Sequence, residues 1–128
     1  MQSLDNNKKI AIIAEILYLA NLLFLPGLAF VLLAYVFIKY RRGQSELAKS
    51  HLTQTFYTSL IGAALIVIII SMLLFFGGFS SAYIWMWIIL YFTLVHSTLV
   101  VFGALGLAKA MSSQPWQYPI IGRYLPKD

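Results

Sequence analysis

The residues of this chain that could do chemistry are few: one of its four carboxylates, two imidazoles, and several amides and hydroxyls. Glu15 stands inside an apolar run, Ile10 to Ile38, six residues past Lys9. That offset is about 9 Å along a helix. A carboxylate at this depth serves as a proton or ion site, or it is a shallow group held neutral or hydrogen-bonded by a neighbouring helix. In "SELAKSHLTQTFYTSL", His51, Gln54 and Thr58 recur at i, i+3 and i+7 and so share one helical face. Glu15 is at a compatible depth to meet the inner end of that stripe. Asn21 lies twelve residues from Lys9, and His96 thirteen from Lys109. Both are then roughly 18–20 Å from the same end and are expected to hydrogen-bond across helices. Such a bond is worth about 0.6 kcal/mol and at most about 2. Glu15, Asn21, His51, Gln54, Thr58 and His96 thus form a candidate polar seam, with His96 read as a strut.

The sharper alternative is His96 as a haem or quinone ligand. Ligation by two histidines needs both imidazoles at one depth, and His51 precedes the third apolar run, so the pair cannot meet across one iron in a monomer. The chain has no cysteine, which removes disulfides, thiol catalysis and thiolate-held metals. Phosphate-binding loops, catalytic triads and paired catalytic carboxylates are missing from the sequence too. The expectation is a protein without enzymatic activity, without a cofactor and without a metal site.

The elements that must position these residues belong to a membrane. Of 128 residues, 61% are hydrophobic and 10% charged, and mean hydropathy is +0.84. Phe56 to Leu107 holds no Lys, Arg, Asp or Glu, far more than the roughly 20 apolar residues that cross a hydrocarbon core. Phe56–Phe76 and Tyr83–Leu107 are each long enough to span, with "GGFSSA" between them. Ile10–Ile38 would be about 43 Å as one helix, against a core of about 30 Å. It is also too long, and too interrupted by Glu15, for a cleaved leader. Pro26-Gly27 near its centre makes it either a kinked, tilted span or a hairpin of two short helices.

Charge separates these two. The nine basic residues fall in three groups: Lys8 and Lys9; Lys39, Arg41, Arg42 and Lys49; Lys109, Arg123 and Lys127. Three crossings put the first group opposite the others; four put all nine on one side, as the bias toward the cytoplasm favours. The expected fold is therefore an all-α integral membrane protein of four transmembrane helices with both termini cytoplasmic. It forms a single membrane domain over 1–128, with helices near 8–25, 27–40, 46–76 and 82–111. The net charge of +5 then suits anionic headgroups, not nucleic acid. Small residues at Gly62, Gly103, Ala104, Gly106, Ala108 and Ala110 permit close helix approach. Tyr83, Trp85 and Trp87 suit the far interface, and Trp116, Tyr118 and Tyr124 the near one.

The tail 112–128 has prolines at 115, 119 and 126, so the last helix should end near Met111. Its aromatics are too apolar for free solvent, and an ordered interfacial segment beside His51 is expected. Trp116, Tyr118, Pro119 and Arg123 form a candidate partner surface. "KYRRGQSELAKSHLTQTF" with the closing "LAKAMSSQPWQYPIIGRYL" resembles a group of small bacterial membrane proteins similar to the Tic-twenty-like proteins of the chloroplast inner envelope. The matching positions are Pro26, Gly27, His51, Gln54, Ala110, Tyr118 and Pro119. The resemblance implies a four-helix fold and leaves activity open. The function expected is an accessory or assembly subunit of the bacterial inner membrane, bound to another membrane protein or to its own copies. A transport or translocation component is the alternative, and a redox-complex anchor using His96 a second.

Overall fold

A computed structural model describes residues 2–40, 42, 46–118 and 122–125. Four helices account for nearly all of them: α1 (Gln2–Leu23), α2 (Leu28–Tyr40), α3 (Glu46–Phe75) and α4 (Ala82–Met111). No strand occurs among the described residues. Helix α1 begins at Gln2, ahead of the start expected near residue 8.

The break at Pro26-Gly27 is real and tight. Proline disfavours helical backbone in the residue before it and has no N–H to offer. Gly27 then takes φ +90°, a left-handed conformation that suits glycine. The Asn21 side chain closes the turn, its Oδ1 accepting from Gly27 N at 3.0 Å.

Contacts fix the directions of the helices. Glu15 meets His51 near the base of the bundle, and Asn21 shares a cavity with Thr58 and Ile66 farther up, so α1 and α3 run together. Gly106 faces Glu15 and Gly103 faces Tyr18, so α4 runs opposite to α1. Ala14, Leu33, Phe37 and Leu52 form one core cluster joining α1, α2 and α3, with Phe37 stacked on Phe56 at 4.2 Å. Ala11, Leu47 and Ala110 form a second that brings in α4.

The two hairpins differ in height. The α1–α2 tip packs at the level of Ile66 on α3 and Phe92 and His96 on α4. The far turn at Gly77 lies eleven residues beyond Ile66, about 16 Å higher. With thirteen residues, α2 is only about 20 Å long. Helices α3 and α4 have thirty residues each, and only 22% and 11% of their most apolar windows are buried. Side chains such as Val67, Phe75, Phe76 and Ile89 are exposed. A soluble protein rarely leaves so much contiguous apolar surface open; lipid is the solvent that suits it.

Helix α4 is not regular throughout. Phe92–His96 forms a π-turn between α-helical Ala82–Tyr91 and Ser97–Met111. Ser97 Oγ donates to Phe92 O at 3.2 Å and Thr98 Oγ1 to Leu94 O at 2.5 Å. These hydroxyls add a bond at carbonyls of the widened turn, where the Leu94 carbonyl also accepts from Ser97 N–H. At the other end, Gln114 N bonds Lys109 O at 2.8 Å and Ser113 N bonds Ala110 O at 3.0 Å, with Ser113 at φ 56°. That pairing is a Schellman C-cap, and it turns the chain back toward α3.

Candidate functional site

The most elaborate polar arrangement sits at the base, where α1, α3, α4 and the returning segment meet. Glu15 and His51 are both 0% exposed, and His51 Nδ1 lies 2.7 Å from Glu15 Oε1. His51 Nε2 donates to the Gln114 carbonyl at 2.8 Å. Tyr118 donates its hydroxyl to Glu15 Oε2 at 3.0 Å. Gln54 reads the segment twice: its Oε1 accepts from Tyr118 N at 3.0 Å, and its Nε2 donates to Gly122 O at 3.1 Å. Ser50 Oγ accepts from Trp116 N at 3.2 Å.

Two glycines make room for this cluster. A Cβ at Gly106 would lie 2.7 Å from both Glu15 carboxylate oxygens, and one at Gly103 would lie 2.6 Å from the Tyr18 ring. Glu15 and Tyr18 are spaced i, i+3 on α1, and Gly103 and Gly106 are spaced i, i+3 on antiparallel α4. The notches match the knobs. Tyr18 then donates to Leu99 O at 3.1 Å and packs its ring 5.4 Å from that of Tyr118.

The chemistry open to this cluster is limited by its partners. One imidazole nitrogen faces a carboxylate and the other a carbonyl. The Nε2 proton is committed to Gln114, and one further proton is shared between Nδ1 and Glu15. The pair is neutral overall whether that proton makes an imidazolium beside a carboxylate or stays on the acid. A neutral, fully hydrogen-bonded pair is tolerable in a water-poor interior, whereas removing one partner leaves a costly group behind. Burial, and then the Glu15 charge beside it, push the Tyr118 hydroxyl well above the usual phenol range. With Glu15 and His51 sealed from solvent, the cluster serves as a fastening for the C-terminal segment.

The six residues expected to form one polar seam fall into two separate groups. Glu15, His51 and Gln54 join through the base cluster. Asn21, Thr58 and His96 line a separate cavity of about 340 Å³ near the α1–α2 tip, and Tyr18 borders both. Asn21 and His96 are not bonded to each other, because Asn21 is engaged by the Gly27 turn. His96 lies at the end of the π-turn with its ring 5.4 Å from Phe92. Tyr118, expected on a partner surface, is 1% exposed and belongs to the core: its hydroxyl reaches the carboxylate only by passing inside. Trp116 is half-buried and Arg123 exposed, with the Arg123 guanidinium 5.3 Å from the Tyr124 ring. Pro119 lies outside the described residues. No group of three His, Cys, Asp or Glu side chains able to hold a metal occurs among the described residues.

Sequence reasoning missed Tyr18, Ser50, Gln114 and the inward role of Tyr118. The matched spacing of Glu15/Tyr18 and Gly103/Gly106 was the available signal for the first.

With helices as the regular structure of the described residues, two of them long and lipid-suited, and a polar cluster closed to solvent, the chain is a small membrane protein. Its sequence matches the magnetosome magnetite crystal formation protein family, MamF_MmsF, over residues 6–125, and the chain belongs to that family. The Tic-twenty-like resemblance finds no support beside this match, whereas a small bacterial membrane family does. Neither the curated proteins nor the solved structures give a match.

Proposed function

We propose that this chain is a non-catalytic accessory component in the formation of magnetosome crystals, acting by binding a membrane partner through its base. The observation that carries the reading is the seating of the C-terminal segment. Five hydrogen bonds, from or to Glu15, Ser50, His51 and Gln54, hold Gln114, Trp116, Tyr118 and Gly122 over the ends of α1, α3 and α4. A small chain with short loops that commits its buried polar groups to fixing one surface is built for recognition. Trp116 and Arg123 are the parts of that surface left to a partner, which is another membrane protein or a second copy. Family membership supplies the process and leaves the partner open.

In this reading α3 and α4 cross the bilayer, and both termini face the cytoplasm from the inner membrane or a magnetosome membrane. The α1–α2 hairpin enters from the same side and turns back within the lipid. Its short second helix and apolar tip, with Phe24 78% exposed, favour this over two further crossings. The charge asymmetry is the same either way, since a hairpin returns to the side it left. A transport role has thinner support: the void of about 730 Å³ between the outer halves of α3 and α4 is lined mainly by apolar groups such as Ile69, Leu73, Ile84 and Leu94, with Ser81, Tyr83 and Tyr91 adding hydroxyls and no charged side chain in the lining.

The test is complementation in a magnetosome-forming host that lacks its own copy. Wild type should restore crystal size, and a variant that releases the segment, His51→Leu, should not, although it still inserts. Full restoration by that variant would remove the seated segment from the account.

A further inference from the structure

The cavity of about 340 Å³ near the α1–α2 tip is lined by polar groups that neither the fold nor the base cluster uses. Asn21 Oδ1 accepts from Gly27 N, and this fixes which way the amide points, since an N–H can face only the oxygen. Its Nδ2 keeps two N–H donors, with no partner among the described residues. The His96 ring meets Phe92 at 5.4 Å, and its nitrogens have no hydrogen-bond partner among the described residues either. Both residues are half-buried. Unlike Thr58 Oγ1 and Ser59 Oγ on the same wall, their free polar atoms are not sealed. Depth makes the omission costly. His96 stands fourteen residues from Ala82 and fifteen from Met111, the ends of α4, so it lies at mid-bilayer if α4 crosses. An unmade polar group there is expensive. The π-turn that ends at His96 is also of the kind often found at functional sites.

We propose that this cavity binds the ring of an isoprenoid quinone, whose carbonyl oxygens accept from Asn21 Nδ2–H and from the His96 ring N–H. The ligand must offer acceptors and yet dissolve in hydrocarbon. A phospholipid headgroup fails the second condition, because its charge stays at the interface, about 15 Å away in a core of about 30 Å. A quinone meets both. Its carbonyls are neutral, and its flat ring suits the aromatic faces of Phe30, Tyr91 and Phe92 in the lining. Small organic ligands occupy pockets of about 300–1,000 Å³ that set a few polar groups among apolar and aromatic ones, and this cavity has that size and character. The tail has a place as well. Tyr91 lines both this cavity and the void of about 730 Å³ between the outer halves of α3 and α4. That larger void is mainly apolar and lies above the tip of the first hairpin, where Met72 and Trp87 are exposed. An isoprenoid chain laid there covers them. The inference rests on α4 crossing the membrane and is independent of the seated segment.

The full chain in maltoside micelles, washed free of lipid, provides the test, with decylubiquinone as the probe. Isotope-labelled histidine gives two imidazoles to follow by NMR, His51 and His96, and the sealed His51 is the internal control. The expected result is a saturable shift of the His96 ring signals, at one quinone per chain, with His51 unmoved. His96→Phe keeps a ring beside Phe92 and removes the donor. Followed at the Asn21 side-chain amide, it should need up to about tenfold more quinone, the worth of one hydrogen bond. His96→Gln, which keeps an N–H, should recover most of that loss. Dodecanol separates a quinone from any amphiphile that enters the micelle. An equal His96 shift at the same dodecanol concentration overturns the assignment to a quinone, and no shift supports it. No saturable shift with decylubiquinone, or a His96→Phe titration equal to wild type, also overturns the proposal and leaves a water-filled cavity. Failure of the membrane reading is separable, because the chain would then be recovered without detergent.

Discussion

Replacing Gly106 by alanine tests the packing on which the base cluster depends. The new Cβ would lie 2.7 Å from both oxygens of Glu15, about 0.7 Å inside the 3.4 Å at which ordinary contact begins. A carboxylate at the end of a free side chain would swing away at little cost. This one is held at 2.7 Å by His51 and at 3.0 Å by Tyr118, so the same displacement lengthens both bonds beyond useful hydrogen-bonding distance. Overpacking of a filled interior costs about 1–3 kcal/mol, and each hydrogen bond to a charged group lost adds about 1.5–3. Alanine returns at most about 1 kcal/mol of helix propensity. The expected net loss is about 3–8 kcal/mol. Gly62→Ala is the internal control, because its Cβ would meet only Leu99 at an ordinary 3.7 Å; it should be neutral or stabilising by up to about 1 kcal/mol. Unfolding by graded denaturant in mixed micelles, followed by far-UV circular dichroism, measures both. Equal stability of the two variants would refute the close approach of α4 to Glu15.

Tyr118→Phe keeps the ring contacts with Tyr18 and Trp116 but removes the donor to Glu15, and should cost about 1.5–3 kcal/mol while exposing the segment to protease. The same hydroxyl sets an alkaline limit. Its folded pKa is raised, so its contribution is constant below the ordinary phenol value of about 10. Above that value the unfolded chain ionises first, and stability falls as pH rises toward the folded pKa. Wild type should therefore lose stability in that window, and Tyr118→Phe should lose less. For topology, cysteines introduced singly at Leu25 and Ser80 separate the alternatives. An impermeant maleimide should label Ser80→Cys from the far side and not Leu25→Cys, and labelling of both would mean that the first hairpin also crosses.

Much of the fold was legible because membrane helices announce themselves through composition. The break at Pro26-Gly27, the close of the last helix at Met111 and the two long apolar helices follow from proline chemistry and from the uncharged run. The inward stripe of His51, Gln54 and Thr58 was legible from helical periodicity. Partners were harder. Depth counted from lysines placed Asn21 and His96 at one level, and they do line one cavity, but depth says nothing about competition from the nearer Gly27 N–H. The π-turn leaves no mark in hydropathy, since Phe92–His96 has the same composition in either geometry. Tyr118 reads as an interfacial aromatic until the Ser113 turn is known to fold the chain back, and that turn uses serine where glycine would have signalled it. The height of the first hairpin was hidden as well, because residue counts give the length of α2 but not its level on α3.

The central claim is that a partner recognises the seated C-terminal segment. Its most direct test is quantitative co-purification in mild detergent from a magnetosome-forming host, comparing the full chain with one ending at Ser113. Both must first be shown to insert by carbonate extraction of the membranes. The account predicts a stoichiometric partner, or a second copy, with the full chain and at least a tenfold loss of it with the truncated one, as expected when a central anchor of an interface is removed. Equal recovery of the partner by both chains would contradict it.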